Sequence, residues 1–238
     1  MIKNIQESKD ERKAECPYCL KPLSKIPGAK TKCPHCRNFM YVRTKTDNVR
    51  VVATEEEMKK IEEAWRIENG TQEEFLLEQK KFSDKKELLK NKYGFEPKEN
   101  DIKWSLFNEA LLKYSQKKQW GFYRSTRMQM AQILEKENRL KDALMTYLGI
   151  CYLDLNGPSN AMLDEKDKVV KGYESFDPEL KFTPLVLKDR VLEIIELLKL
   201  EKQEVKDIYL NFANKLQKST RAPIAPIDTW EEMENELW

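Results

Sequence analysis

Cys16-Pro17-Tyr18-Cys19 and Cys33-Pro34-His35-Cys36 are the residues on which the reading of this chain turns. Two cysteines three positions apart lie on one tight turn, so both sulfurs reach a common point. A proline inside each pair fixes φ and preorganises that turn. Two such turns offer four thiolates, the tetrahedral set that one Zn²⁺ prefers because the ion is borderline soft. The expected role of the ion is structural. A closed shell of four cysteines leaves no position for water, and a segment this short has no core of its own to fold around. Iron in a four-thiolate site is the alternative.

The paired C-P-x-C knuckles resemble the zinc-ribbon family. The resemblance implies a small β module with Cys16, Cys19, Cys33 and Cys36 as the metal ligands. Many members carry Gly after the second cysteine of each pair, whereas Leu20 and Arg37 stand there in this chain. His35, the one histidine, lies between two ligands and is expected to point away from the metal as an exposed knuckle residue. The fifth cysteine, Cys151, sits among Tyr147, Leu148, Ile150 and Leu153 and reads as a core thiol.

Working outward, Phe39 to Arg43 and Val49 to Ala53 predict a short β-hairpin turned at Asp47-Asn48. This completes a ribbon over 16–53, behind a polar leader over 1–15. Beyond it the pattern is helical. Thr54 and Glu57 form a capping box for a helix with Met58, Ile61 and Trp65 on one side. Thr71 and Glu74 suggest a second box, opening a helix in which Phe75, Phe82 and Leu89 recur every seventh residue. These are connecting helices over 54–94, followed by a linker over 95–100.

A helical domain is expected over 101–220. Phe107, Ala110, Leu111 and Tyr114 follow the spacing of a helix packed on one face. Helices are predicted from Gly121 to Asn138 and from Leu140 to Asn156, with a break at Asn156-Gly157-Pro158. The following stretch to Phe182 is less regular and has room for one short helix. Thr183-Pro184 then reads as N-cap and first helical residue of a helix to Leu200, and Val205 to Leu216 as the last long helix. Residues 124–157 resemble one tetratricopeptide repeat, with Ala131, Ala143 and Tyr147 at the family's characteristic positions, whereas Arg127 and Leu155 depart from it. The knuckles together with Trp104-Ser-Leu-Phe107-Asn-Glu109 are similar to uncharacterised bacterial and phage proteins that join a zinc ribbon to a helical body. The fold class expected is therefore mainly α: an N-terminal four-cysteine zinc ribbon (small β) followed by antiparallel helical hairpins of tetratricopeptide-like type.

Residues 221–238 read as an extended acidic tail, because Pro223 and Pro226 interrupt helix. Within it Trp230, Met233 and Leu237 share one helical face, with Trp238 beside them. Two readings stand: a motif that folds onto a protein partner, or a terminal helix docked on the chain's own body.

Composition narrows the function. Among 238 residues 35% are charged, 40% are apolar and only 7 are Gly, the balance of long amphipathic helices. No apolar run reaches the roughly 18 residues of a membrane span, and the first residues carry no secretory signal, so the expected location is cytoplasmic. No phosphate-binding glycine motif occurs, and no second histidine is present to serve acid–base chemistry. The expectation is a non-catalytic adaptor or regulatory binding protein with no small-molecule substrate, a carboxylate-based divalent-metal nuclease being the remote enzymatic alternative. Its partners would be protein, DNA or RNA. From Cys16 to Arg50 the basic residues Lys21, Lys25, Lys30, Lys32, Arg37, Arg43, Lys45 and Arg50 face a single acid, Asp47. Of these, Lys30, Lys32, Arg37 and Arg43 with Tyr41 are the candidate nucleic-acid contacts, with Tyr18 and Phe39 as further stacking rings.

Overall fold

The computed structural model describes residues 9–160 and 175–238. The first part of the polar leader and most of the irregular stretch before Phe182 lie outside the described residues. The chain divides into two compact units, Met1–Ser83 and Asp84–Trp238. The division falls inside one helix.

The first unit is built on a sheet of four strands in the order β1-β4-β3-β2. They are β1 (Lys9–Asp10), β2 (Thr31–Lys32), β3 (Phe39–Thr44) and β4 (Val49–Ala53). β2, β3 and β4 are antiparallel, with Lys32 opposite Phe39 and Val42 opposite Val52; β1 joins β4 in parallel. The hairpin turn is where Asp47-Asn48 predicts it. Asn48 takes a left-handed φ of 63°, and the Asp47 carboxylate accepts the Val49 N–H at 3.1 Å.

The alternation of β3 divides its side chains between two surroundings. Met40 joins the cysteines in a small core, with Leu23 and Val52 packed against it. On the opposite side stand Tyr41 and Arg43, and helix α1 (Glu55–Glu68) packs against β3. The Thr54–Glu57 capping box is present as expected. Trp65 Nε1 donates to the Thr44 carbonyl at 2.7 Å, fixing α1 to the strand end.

Helix α2 (Gln72–Tyr93) follows after Gly70. Thr71 does not cap it in the manner expected. Its hydroxyl turns back to the Arg66 carbonyl at 3.4 Å, closing the end of α1. The linker is shorter than its sequence suggests, since α3 (Glu99–Gln116) starts at Glu99 with Lys98 as N-cap residue.

In the second unit, α3, α4 (Trp120–Lys136) and α5 (Leu140–Leu155) form successive hairpins. Lys118 and Asn138 hold their turns in the left-handed region, at φ 53° and 59°. α5 is the centre. Ala143, Leu144 and every residue from Thr146 to Leu155 are buried, and α4, α6, α7 and α8 all pack on it. Gly149 shows how close one approach is: a Cβ there would lie 2.2 Å from the Phe212 ring of α7. Gly157, at φ +62°, ends the break after α5, and a Cβ on it would meet the Asp177 carbonyl at 1.8 Å.

A 3₁₀ turn at Pro178–Leu180 precedes α6 (Leu185–Leu198). Pro184, not Thr183, occupies the N-cap position, since its ψ of 136° is extended, and the helix stops at Leu198 because Lys199 turns left-handed. α7 (Lys202–Thr220) and α8 (Pro226–Leu237) complete the unit.

α8 corrects the expectation of a tail extended throughout 221–238. Pro226 to Leu237 is helical, and only the turn before it and Trp238 are not. Pro226 starts the helix, where a missing N–H costs nothing because first-turn N–H groups have no intrahelical partner. The body prepares the entry: Asn156 Oδ1 accepts the Ile224 N–H at 2.7 Å, and the Tyr152 hydroxyl donates to the Ile224 carbonyl at 3.0 Å. Among the described residues, no helix is long and apolar enough to cross a membrane.

Candidate metal centre

The two knuckles repeat one backbone pattern. Cys16 N–H donates to the Lys21 carbonyl and Leu20 N–H to the Cys16 carbonyl; Cys33 N–H donates to Asn38 and Arg37 N–H to Cys33 in the same way. Leu20 and Arg37 sit at φ 57° and 61°. Each knuckle turn therefore needs the left-handed region, which Gly adopts most readily. A residue with a Cβ costs roughly 1–2 kcal/mol there. In each knuckle the N–H two residues on, from Tyr18 or His35, points at the first cysteine's Sγ at 3.4 Å. Such donors stabilise a thiolate.

The four Sγ atoms lie within 4.8 Å of one another. Cys16 and Cys36 are 3.7 Å apart and Cys19 and Cys33 3.8 Å apart. A tetrahedral zinc with bonds of about 2.3 Å separates its sulfurs by about 3.8 Å, so this donor set is compatible with a zinc-binding site. Burial pushes the Cys33 thiol up, but amide N–H groups of Cys36 and His35 and the neighbouring thiols outweigh it and hold it at about 6. At Cys36 the Asn38 N–H pulls down, while burial and the adjacent thiols raise it to about 11. Cys16 and Cys33 are buried, Cys19 and Cys36 half-buried. His35 is exposed, with Nε2 3.1 Å from the Pro22 carbonyl.

The candidate nucleic-acid residues separate into two groups. Lys30 and Lys32 are exposed, and their ammonium groups lie 4.5 and 4.9 Å from the centre of the Phe39 ring. Phe39 keeps 41% of its surface exposed. Tyr41, by contrast, is only 8% exposed, and Arg43 is engaged by Glu62 at 3.0 Å and by Met58 Sδ at 3.3 Å. Both pack where α1 meets β3; Tyr41 offers little open ring, while Arg43 is held by Glu62 with about a third of its side chain exposed. Arg37 is exposed on the second knuckle. Tyr18 is tied to the start of α1, its hydroxyl accepting the Glu55 N–H at 2.7 Å.

At the other end of the chain, Trp230, Met233 and Leu237 lie in the core of the second unit, at 0%, 1% and 8% exposure. The Trp230 ring meets Tyr209 at 5.3 Å, and the Tyr209 hydroxyl donates to Thr229 at 2.9 Å. Two tail acids pair with the body, Glu232 with Lys181 at 2.7 Å and Glu234 with Lys202 at 2.9 Å. Trp238 remains 52% exposed. In this structure the amphipathic face of the tail is directed into its own body.

One surface feature escapes the sequence reading. Leu180, Phe182, Leu185 and Val186 are 70%, 71%, 68% and 79% exposed. The signal was the run Leu185-Val186-Leu187, since three consecutive apolar residues cannot share one helical face; only Leu187 is buried. Comparison with protein-family models, with curated proteins and with solved structures finds no match to this chain.

Proposed function

We propose that this protein is a non-catalytic adaptor. A single structural Zn²⁺, held by Cys16, Cys19, Cys33 and Cys36, folds the ribbon; the helical body docks a protein partner; and the basic ribbon makes a second contact. The observation that carries the reading is the row Leu180, Phe182, Leu185 and Val186, about 70–80% exposed within seven residues. Single exposed apolar side chains are ordinary, but four large ones this exposed within seven residues fit an interaction surface. Four thiols that fill a tetrahedral shell support a structural rather than a catalytic metal. In this reading α4 and α5, which bury Ala131, Ala143 and Tyr147, form a tetratricopeptide-like hairpin. The proposed setting is a cytoplasmic assembly, of bacterial or phage origin by the resemblance of 104–109.

The test compares the tagged wild type with a Phe182→Asp, Val186→Asp variant, both checked for helicity by circular dichroism. The expected result is a protein retained stoichiometrically by the wild type and lost by the variant. Identical retention by both, or none by either, contradicts the reading.

A further inference from the structure

We infer that the exposed edge of the ribbon formed by Lys30, Lys32 and Phe39 binds single-stranded nucleic acid, Phe39 stacking on a base while the two ammonium groups hold flanking phosphates. This rests on reading the ribbon as a contact surface and names its ligand. Lys32 stands directly opposite Phe39 in the β2–β3 register, which places both side chains on one side of the sheet. Lys30 reaches the same ring at 4.5 Å and the Tyr41 ring at 4.9 Å. The Phe39 end of that side is open, whereas its Tyr41 end is buried. Beside it lies a cleft of about 450 Å³ lined by Gly28, Lys30, Val42, Arg43, Thr44 and Arg50, with no acidic residue in its wall. Lys21, Lys25, Arg37 and Lys45 are also exposed on this unit and add to its positive field.

The lysines now lie against the ring, and the magnitudes say whether they yield. The Phe39 ring carries two exposed cation–π contacts, together worth about 5- to 30-fold in an equilibrium. A base stacked on an aromatic side chain is worth about 5- to 150-fold, and each phosphate neutralised adds the release of condensed counterions. Stacking offsets the contacts given up, and counterion release at the two phosphates makes the exchange favourable. The requirement for an unpaired base selects a single strand over a duplex, and the ring selects it over an acidic peptide.

The test is fluorescence anisotropy of the full-length, zinc-loaded chain with labelled oligothymidine and oligouridine of about 12 nucleotides. A duplex of equal length and polyglutamate serve as competitors. Saturable binding is expected, weakened about tenfold by Phe39→Ala and restored by Phe39→Trp. Lys30→Gln with Lys32→Gln should lower the slope of log K against log salt by about 1.4, the loss of two single-strand phosphate contacts. Zinc content checks that each variant keeps its ribbon. Absence of binding at low salt, indifference to Phe39→Ala, or equal competition by duplex or polyglutamate overturns the inference. The Phe182→Asp, Val186→Asp variant should bind the oligonucleotides normally, which separates failure of this site from failure of the body's docking surface.

Discussion

The ribbon and the helical body meet the cost of ordering a chain by different means. In the ribbon the small core around the cysteines consists of Cys16, Cys33 and Met40, with Cys19, Leu23, Cys36 and Val52 partly buried against them. The body buries whole helical faces, α5 almost entirely, and draws Trp230, Met233 and Leu237 from its last helix into the same core. Fixing a residue's backbone costs about 1–2 kcal/mol, and a buried Leu or Ile returns about 1.5–3 kcal/mol. The body can balance that with side chains alone. The ribbon has few of them around its cysteines, and four thiols that could hold a metal stand there instead.

The sharpest way to break this contrast is to remove the metal. Binding of zinc to such a site is worth about 10–16 kcal/mol near neutral pH. Chelation, or acid that protonates the thiolates, should abolish hydrogen-exchange protection over 31–53 while α4 to α8 stay protected. Simultaneous loss in both regions would show that the ribbon has no separate dependence on the ion.

The next effect belongs to the body. Trp230→Ala removes a fully buried ring packed on Tyr209 and should cost about 3–5 kcal/mol. It should lower the thermal midpoint of the helices and leave zinc affinity unchanged. Gly149→Ala comes third. Its new methyl would require the Phe212 ring to move, an overpacking cost of about 1–3 kcal/mol read from denaturant midpoints. The smallest effect has the opposite sign. Leu20→Gly and Arg37→Gly relieve two left-handed residues and should each stabilise the zinc-loaded ribbon by about 1 kcal/mol, seen as a higher chelator concentration for unfolding.

The contrast also explains what could be read in advance. The knuckles, the Asp47-Asn48 turn and the Thr54–Glu57 box are local, set by residues within five positions of one another, and the structure has them as expected. The tail was not legible in the same way. Pro226 reads as a breaker, yet a proline is equally suited to the first turn of a helix; what decides is Asn156 and Tyr152 holding Ile224 from far along the chain. The surroundings of Tyr41 and Arg43 were not legible either, because the alternation of β3 is local whereas the packing of α1 on that strand is not. Among the basic and aromatic residues of the ribbon, Phe39 is an exposed ring with two exposed lysines, Lys30 and Lys32, against it, and that grouping is a property of the packed unit.

The central claim is that the four cysteines hold one zinc ion. Native mass spectrometry of the purified full-length chain, with elemental analysis of the metal, tests it directly. The account predicts one zinc per chain in the wild type and a large loss of bound metal in Cys36→Ser. A wild-type chain carrying iron, or carrying no metal after purification without chelator, would contradict it.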